Sequence, residues 1–252
     1  MNKREARAII LAAGRGSRLD SFTDKTPKCL VQLNGSSLLE WQIKSLRAAG
    51  IKQIAVVLGY KSELIATESV TRFKNENWAN TNMVMSLFSA REWLQNSDCI
   101  ISYSDIVYAS EWVSRLLNSN GEISLTYDIA WKKLWEARFK NPLNDAESFR
   151  IDGSGLIKSI GEKVSSIDEI EGQYMGLIKL TPLGWALIEN YLQDLKDTEK
   201  NKLDMTRLFS ILIERGTSIQ GVPVEGRWLE VDHVSDLQLY RSNLEFYLHK
   251  IF

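Results

Sequence analysis

The sequence predicts an α/β fold: a single domain built on a mixed, mostly parallel sheet with helices on both faces. Three observations predict it. Short apolar runs alternate with stretches of helical spacing through the first half of the chain. A glycine–arginine loop, Gly14-Arg15-Gly16-Ser17-Arg18, stands directly behind the first apolar run. The 252 residues, 44% of them hydrophobic, suffice for one large core, and no Pro/Gly-rich linker divides them.

Residues 8–13 form a short apolar run that reads as a buried parallel strand. Residues 38–49 place Leu39, Ile43 and Leu46 on one helical face, and Gly50 stops them. A strand follows at 53–58, then a helix over 83–94 with Leu87, Ala90 and Leu94 aligned. A further strand at 99–103 precedes a helix near 111–117. Alternation at this rhythm makes a parallel sheet covered on both sides. The second half changes character. Short strands at 123–127, 148–151, 156–160 and 175–180, split by turns such as Asp152-Gly153, predict antiparallel strands added to one edge. Helices follow at 182–195 and 205–214, strands near 219–222 and 228–232, and a final helix from Ser235. The expected organisation is one domain over 1–252. Its nucleotide-binding part covers about 7–120, an antiparallel acceptor-binding subregion about 121–232, and a C-terminal helix 233–252. That helix carries an apolar stripe of Leu237, Tyr240, Leu244, Tyr247 and Leu248, suited to packing on its own core or on a second subunit in a homodimer.

A net charge of -1 argues against a dedicated nucleic-acid binder. No stretch approaches the roughly 18 to 20 apolar residues of a membrane span. The first apolar run is too short for a signal sequence, so a soluble, cytoplasmic protein is expected. Cys29 and Cys99 each border an apolar run and read as buried, reduced thiols. With only His233 and His249 besides, a zinc site is not expected.

The sharpest motif is Leu11-Ala12-Ala13-Gly14-Arg15-Gly16-Ser17-Arg18-Leu19. Its glycines let backbone N–H groups approach phosphate oxygens. Ala12 and Ala13 leave room for a base or ribose, and Arg15 and Arg18 offer two guanidinium forks to a triphosphate. Lys28, in Thr26-Pro27-Lys28, adds a mobile point charge for the α-phosphate or the leaving pyrophosphate. The loop lacks the Gly-Lys-Ser/Thr of a Walker motif, and Leu19 stands where a dinucleotide fingerprint needs its third glycine. Asp105 follows a central strand, at the end where open α/β sheets bind ligands. Asp232 precedes the last helix. The two carboxylates suit one Mg²⁺, although either aspartate also suits a helix cap; Glu230 is a lesser candidate.

The loop together with Thr26-Pro27-Lys28 resembles the signature of the nucleotidyltransferase superfamily, whose fold is Rossmann-like. The resemblance implies transfer of a nucleoside monophosphate with release of pyrophosphate. It places Arg15 and Lys28 in catalysis and Asp105 and Asp232 on the metal. Leu11, Ala12, Ala13, Gly14, Gly16, Ser17, Arg18 and Ser104 fall to nucleotide binding. Asn82, which can cap a helix, and Ser86, four residues on, resemble the base-side pattern of bacterial phosphocholine-type cytidylyltransferases. CTP is thus the implied donor and a small phosphorylated amino-compound the implied acceptor, in surface polysaccharide decoration. Trp131, Trp135, Arg138, Glu171, Gln173 and Tyr174 are the acceptor-binding candidates. The two tryptophans equally suit a helix buried against the sheet. A sugar-1-phosphate nucleotidylyltransferase using UTP or dTTP, and a non-catalytic nucleotide sensor, are the alternatives. A glycosyltransferase would carry Asp-x-Asp, and Tyr103 occupies its first position.

Overall fold

The computed structural model describes residues 5–66, 68–243 and 251. Its strands, in chain order, are β1 (Arg7–Ala12), β2 (Gln32–Leu33), β3 (Ser36–Ser37), β4 (Gln53–Leu58), β5 (Thr71–Lys74), β6 (Cys99–Tyr103) and β7 (Ile106–Tyr108). They continue as β8 (Ile123–Asp128), β9 (Phe149–Ile151), β10 (Ile157–Ile160), β11 (Gln173–Leu180), β12 (Gln220–Val224) and β13 (Trp228–Glu230). The helices are α1 (Leu38–Ala48), α2 (Met83–Phe88), α3 (Arg91–Asn96), α4 (Ser110–Leu117) and α5 (Trp131–Arg138). After them come α6 (Pro182–Gln193), α7 (Asp197–Lys200), α8 (Met205–Glu214) and α9 (Val234–Ser242).

Seven strands form one sheet in the order β12-β8-β11-β6-β1-β4-β5. β4 and β6 flank β1 in parallel, and β5 extends β4. β11 runs antiparallel to both of its neighbours, β6 and β8, while β12 is parallel to β8. The apolar runs are explained by what they face. Ala8, Ile10 and Ala12 of β1 join one core layer with α1, α4 and α5; Ile9 and Leu11 join the other with α2, α3, α6 and α8. A strand buried on both faces needs no polar alternation.

Two sequence expectations differ from this arrangement. The helix over 83–94 is two helices, broken at Ser89 and Ala90, where the Ser89 hydroxyl donates back to the Met85 carbonyl at 3.3 Å. The later strands of the sheet are added to one edge, beyond β6 in the order β11, β8, β12, but β11 alone is reversed: β8 and β12 run parallel to the first-half strands, and β9 and β10 pair as a separate two-stranded ribbon. The stripe residues Leu244, Tyr247 and Leu248, with His249, lie outside the described residues, whereas Leu237 and Tyr240 are buried. Among the described residues no helix is long and apolar enough to cross a membrane.

One small ladder positions the chemistry. β7 and β13 pair antiparallel, outside the main sheet. The Trp228 indole, which donates to buried Asp128 at 2.8 Å, anchors β13 to the end of β8.

Candidate active site

β1 gives way to the glycine–arginine loop at the carboxyl edge of the parallel strands. The Ala13 carbonyl accepts the Tyr60 amide at 2.9 Å, which pins the loop to the segment after β4. Gly16 has φ +73, a conformation that side-chain-bearing residues rarely adopt. A Cβ there would stand 2.7 Å from both Cβ and Cδ of Lys28. Glycine therefore lets the Lys28 side chain run against the loop. Gly14, Arg15, Ser17 and Arg18 are exposed. Arg15 pairs with Asp24 at 2.6 Å and lies over the Tyr60 ring. Leu11, Ala12 and Ala13 are buried within the two core layers. Their side chains pack into the core and leave only backbone facing the loop.

Lys28 is buried, and its Nζ donates to Asp105 Oδ2 at 2.8 Å and to Asp232 Oδ1 at 2.7 Å. Arg18 pairs with the other Asp232 oxygen, Oδ2. The backbone explains the meeting. The chain turns at Ser104 and Asp105 between β6 and β7, and the Val231 amide donates to the Asp105 carbonyl at 2.9 Å. The β7–β13 ladder thus sets the two aspartates side by side. Burial alone would push the Lys28 amine toward neutrality, but the two carboxylates outweigh it and raise its pKa. Burial likewise opposes the charge on Asp232, and Lys28, then Arg18, overcome it and lower that carboxyl's pKa. Asp105 Oδ1 is buried without a hydrogen-bond partner. Among the described residues no three His, Cys, Asp or Glu cluster as a metal cage. Two carboxylates with one unsatisfied oxygen fit a hard cation that takes its other ligands from water and phosphate.

A second carboxylate layer stands behind Asp232. Asp236 Oδ2 accepts the amides of Asp232 and His233, each at 2.9 Å. Arg138 grips both Asp236 oxygens, through Nε at 3.0 Å and Nη2 at 3.2 Å, and reaches Glu230 Oε2 through Nη1 at 2.6 Å. Burial lifts the Glu230 carboxyl to about 7 against the pull of Arg138.

Asn82, expected on the base side, caps α2 by accepting the Met83 amide at 2.8 Å, and its backbone amide donates to the Asn201 carbonyl. Ser86 is buried and accepts from Asn75, which also binds Thr81. Ser104 is half-buried in the turn beside Asp105.

The acceptor-binding candidates separate. Trp131 and Trp135 are core residues, and Trp135 donates to Asp145. The Arg138 side chain has no exposed surface and is taken by two carboxylates. Glu171 spends a carboxylate oxygen on the Ile151 amide, and buried Gln173 brackets the backbone of Glu147. Trp131, Trp135, Arg138 and Gln173 are buried and engaged within the protein, whereas Glu171 is exposed. Tyr174 differs from both. It is half-buried, its hydroxyl donates to that of Tyr103 at 3.3 Å, and the rings meet edge to face. Burial raises the pKa of both phenols, and the Asp105 charge adds to it.

The family model of the MobA-like NTP transferase domain matches residues 8–143 of this chain. The chain belongs to this family. This NTP transferase is 37% identical over 248 residues to the CTP:phosphoglutamine cytidylyltransferase of Campylobacter jejuni, covering 92% of this chain and 98% of that protein. It is 32% identical over 117 residues to a 2-aminoethylphosphonate cytidylyltransferase of Lancefieldella rimae, covering 44% of this chain and 48% of that one. The solved structure of a CTP:phosphocholine cytidylyltransferase from Streptococcus pneumoniae shares its fold. The TM-score is 0.72 at 21% identity, over 95% of this chain and 99% of that chain. The chain is therefore a nucleotidyltransferase with cytidylyltransferase relatives.

Sequence reasoning named Lys28, Asp105 and Asp232, and the fold brings them together. It missed Asp236 and Tyr103. Asp236 stands at the third position of α9, where a carboxylate closes a capping box, and that spacing was a usable signal. Tyr103 ends β6, two residues before Asp105.

Proposed function

We propose that this NTP transferase moves CMP from CTP to a small phosphorylated amino-compound, phosphoglutamine first among the candidates, and releases pyrophosphate. One observation carries the reading: Asp105, just before β7, and Asp232, just after β13, converge on Lys28 beside the glycine–arginine loop. Near full-length similarity to the Campylobacter enzyme supports the choice of CTP. We place the reaction in the cytoplasm, where CTP is supplied, with the product feeding surface polysaccharide decoration.

Loop amides, Arg15 and Arg18 bind the triphosphate, and Lys28 stabilises charge at the α-phosphate and the leaving pyrophosphate. Asp105 and Asp232 hold Mg²⁺, which supplies charge neutralisation at the phosphates when bound. The Asn82 and Ser86 region faces the base, and Ser104 lies beside the nucleotide. Tyr174 borders the acceptor. The acceptor phosphate oxygen bonds to the α-phosphorus while the bond to pyrophosphate breaks, and pyrophosphate keeps that electron pair. The attacking oxygen is already ionised at neutral pH, so no general base is needed and positioning dominates.

The test is a pyrophosphate-release screen. It crosses CTP, UTP, dTTP and ATP with phosphoglutamine, phosphocholine, aminoethylphosphonate and sugar-1-phosphates. Release is expected from CTP with a phosphorylated amino-compound. Release confined to UTP or dTTP with a sugar-1-phosphate overturns the reading. So does CTP binding without turnover on any acceptor, which would mark a sensor.

A further inference from the structure

We propose that Arg138 and Asp236 are positioning residues for Asp232, an inference that rests on the metal-binding role proposed above for that carboxylate. Asp232 has no strand to hold it, because β13 ends at Glu230 and α9 begins at Val234. The Arg138–Asp236 pair grips this short connection at several points. Asp236 Oδ2 binds the amides of Asp232 and His233 together. Arg138 fixes both oxygens of Asp236 and, with its remaining nitrogen, the Glu230 side chain at the end of β13. The guanidinium is itself immobile: its side chain has no exposed surface, and it lies 5.0 Å from the Trp135 ring and 4.9 Å from the Phe139 ring. The paired aromatics in and beyond α5 thus wall in a cation of the protein's own.

An ordinary helix cap does not account for this. A capping box needs one carboxylate oxygen on the N-cap amide, and an exposed Asp236 would provide it. Here the carboxylate also binds the amide of the residue before the N-cap, and it is 1% exposed. A buried arginine is spent to keep it aimed, against the cost of burying the guanidinium. The residue so fixed is the one whose carboxylate meets Lys28 and Arg18. Partners behind a metal ligand orient it, and losing them typically weakens metal affinity or activity by about 10- to 100-fold.

The experiment compares the native full-length chain with Arg138→Met and Asp236→Asn. Mn²⁺ is the probe, titrated by electron paramagnetic resonance in the presence of CTP and without acceptor. Thermal melts and steady-state kinetics are measured on the same samples. The expected result is Mn²⁺ binding weakened by about 10- to 100-fold, kcat reduced on the same scale, and the acceptor KM unchanged. If Arg138→Met does not fold, Arg138→Lys carries the same test, since lysine keeps the charge and loses the two-pronged fork. Folded variants with a lowered melting temperature but native Mn²⁺ affinity and kcat would overturn the proposal and leave the cluster a structural one. Failure of the native chain itself to bind Mn²⁺ with CTP would overturn the metal role of Asp232, and this inference with it.

Discussion

Replacing Lys28 by methionine tests the centre of the site. Methionine keeps the stem that runs against Gly16 and removes the ammonium. The lost contacts are two, at 2.8 and 2.7 Å, to Asp105 and Asp232. Lys28 and Asp232 side chains are 8% and 7% exposed, and that of Asp105 is 21% exposed, so solvent screens the group weakly. Removing one member of a buried ion pair costs about 3 to 5 kcal/mol. In a chain of this size each kcal/mol moves the melting temperature by about 2 to 4 °C. Without divalent ions Lys28→Met should therefore melt about 6 to 20 °C lower. Mg²⁺ should restore much of that loss, because the freed carboxylates then pair with the ion, and it should stabilise the variant more than the native chain. Turnover should fall about 10²- to 10³-fold, the usual effect of deleting one electrostatic contact to a transition state. Differential scanning fluorimetry with EDTA or Mg²⁺, together with pyrophosphate release, reads both effects. A variant that melts within a degree of the native chain in EDTA, gains no more from Mg²⁺, or turns over at the native rate would refute the reasoning.

Gly16→Ala should place a methyl 2.7 Å from the Lys28 stem at φ +73, costing at least about 1 kcal/mol and displacing the amine; a roughly tenfold or greater loss of kcat with a lowered melting temperature is the expected kinetic and thermal signature. Tyr174→Phe removes a hydroxyl bonded to Tyr103, worth about 1 kcal/mol, and should raise the acceptor KM roughly fivefold while the CTP KM holds, as steady-state titrations with each substrate would show. The melting-temperature gap between the native chain and Lys28→Met should depend on pH at both ends. Asp232 has a lowered folded pKa, so its share is present above the unfolded value of about 3.9 and fades as pH falls through the folded one. Lys28 has a raised folded pKa, so its share is full below about 10.4 and fades as pH rises through the folded value. Melts from acid to alkaline pH should show the gap constant between about pH 5 and 10 and shrinking outside; a gap that grows in acid contradicts the pairing.

The sequence made local features legible and left non-local ones hidden. β1, β4 and β6 are readable because each is an apolar run buried on both faces. β5 is not, because Thr71, Arg72 and Lys74 are exposed and only Phe73 turns partly inward. β11 is readable as a strand, but its insertion between β6 and β8 depends on pairings such as Leu177 with Ser102. No local pattern encodes that choice. The site divides in the same way. The loop and the three charged residues carry their chemistry in residue type and in position beside a strand or helix. That one amine serves both aspartates is a tertiary fact. Arg138 follows the same rule: beside two tryptophans and two lysines it looks like a ligand contact, and only the fold shows its pairing with Asp236 and Glu230.

The pairing of β7 with β13 has a consequence for synthesis of the chain. Lys28 and Asp105 leave the ribosome before β8 to β13, together with the parallel strands β1, β4, β5 and β6. β7 must wait for Trp228–Glu230 before it has a partner, and Asp232 follows immediately. Until then the nascent chain has a glycine–arginine loop, a lysine and one carboxylate, but not the pair. The pair of aspartates is thus assembled only after β1 to β13 have all been synthesised.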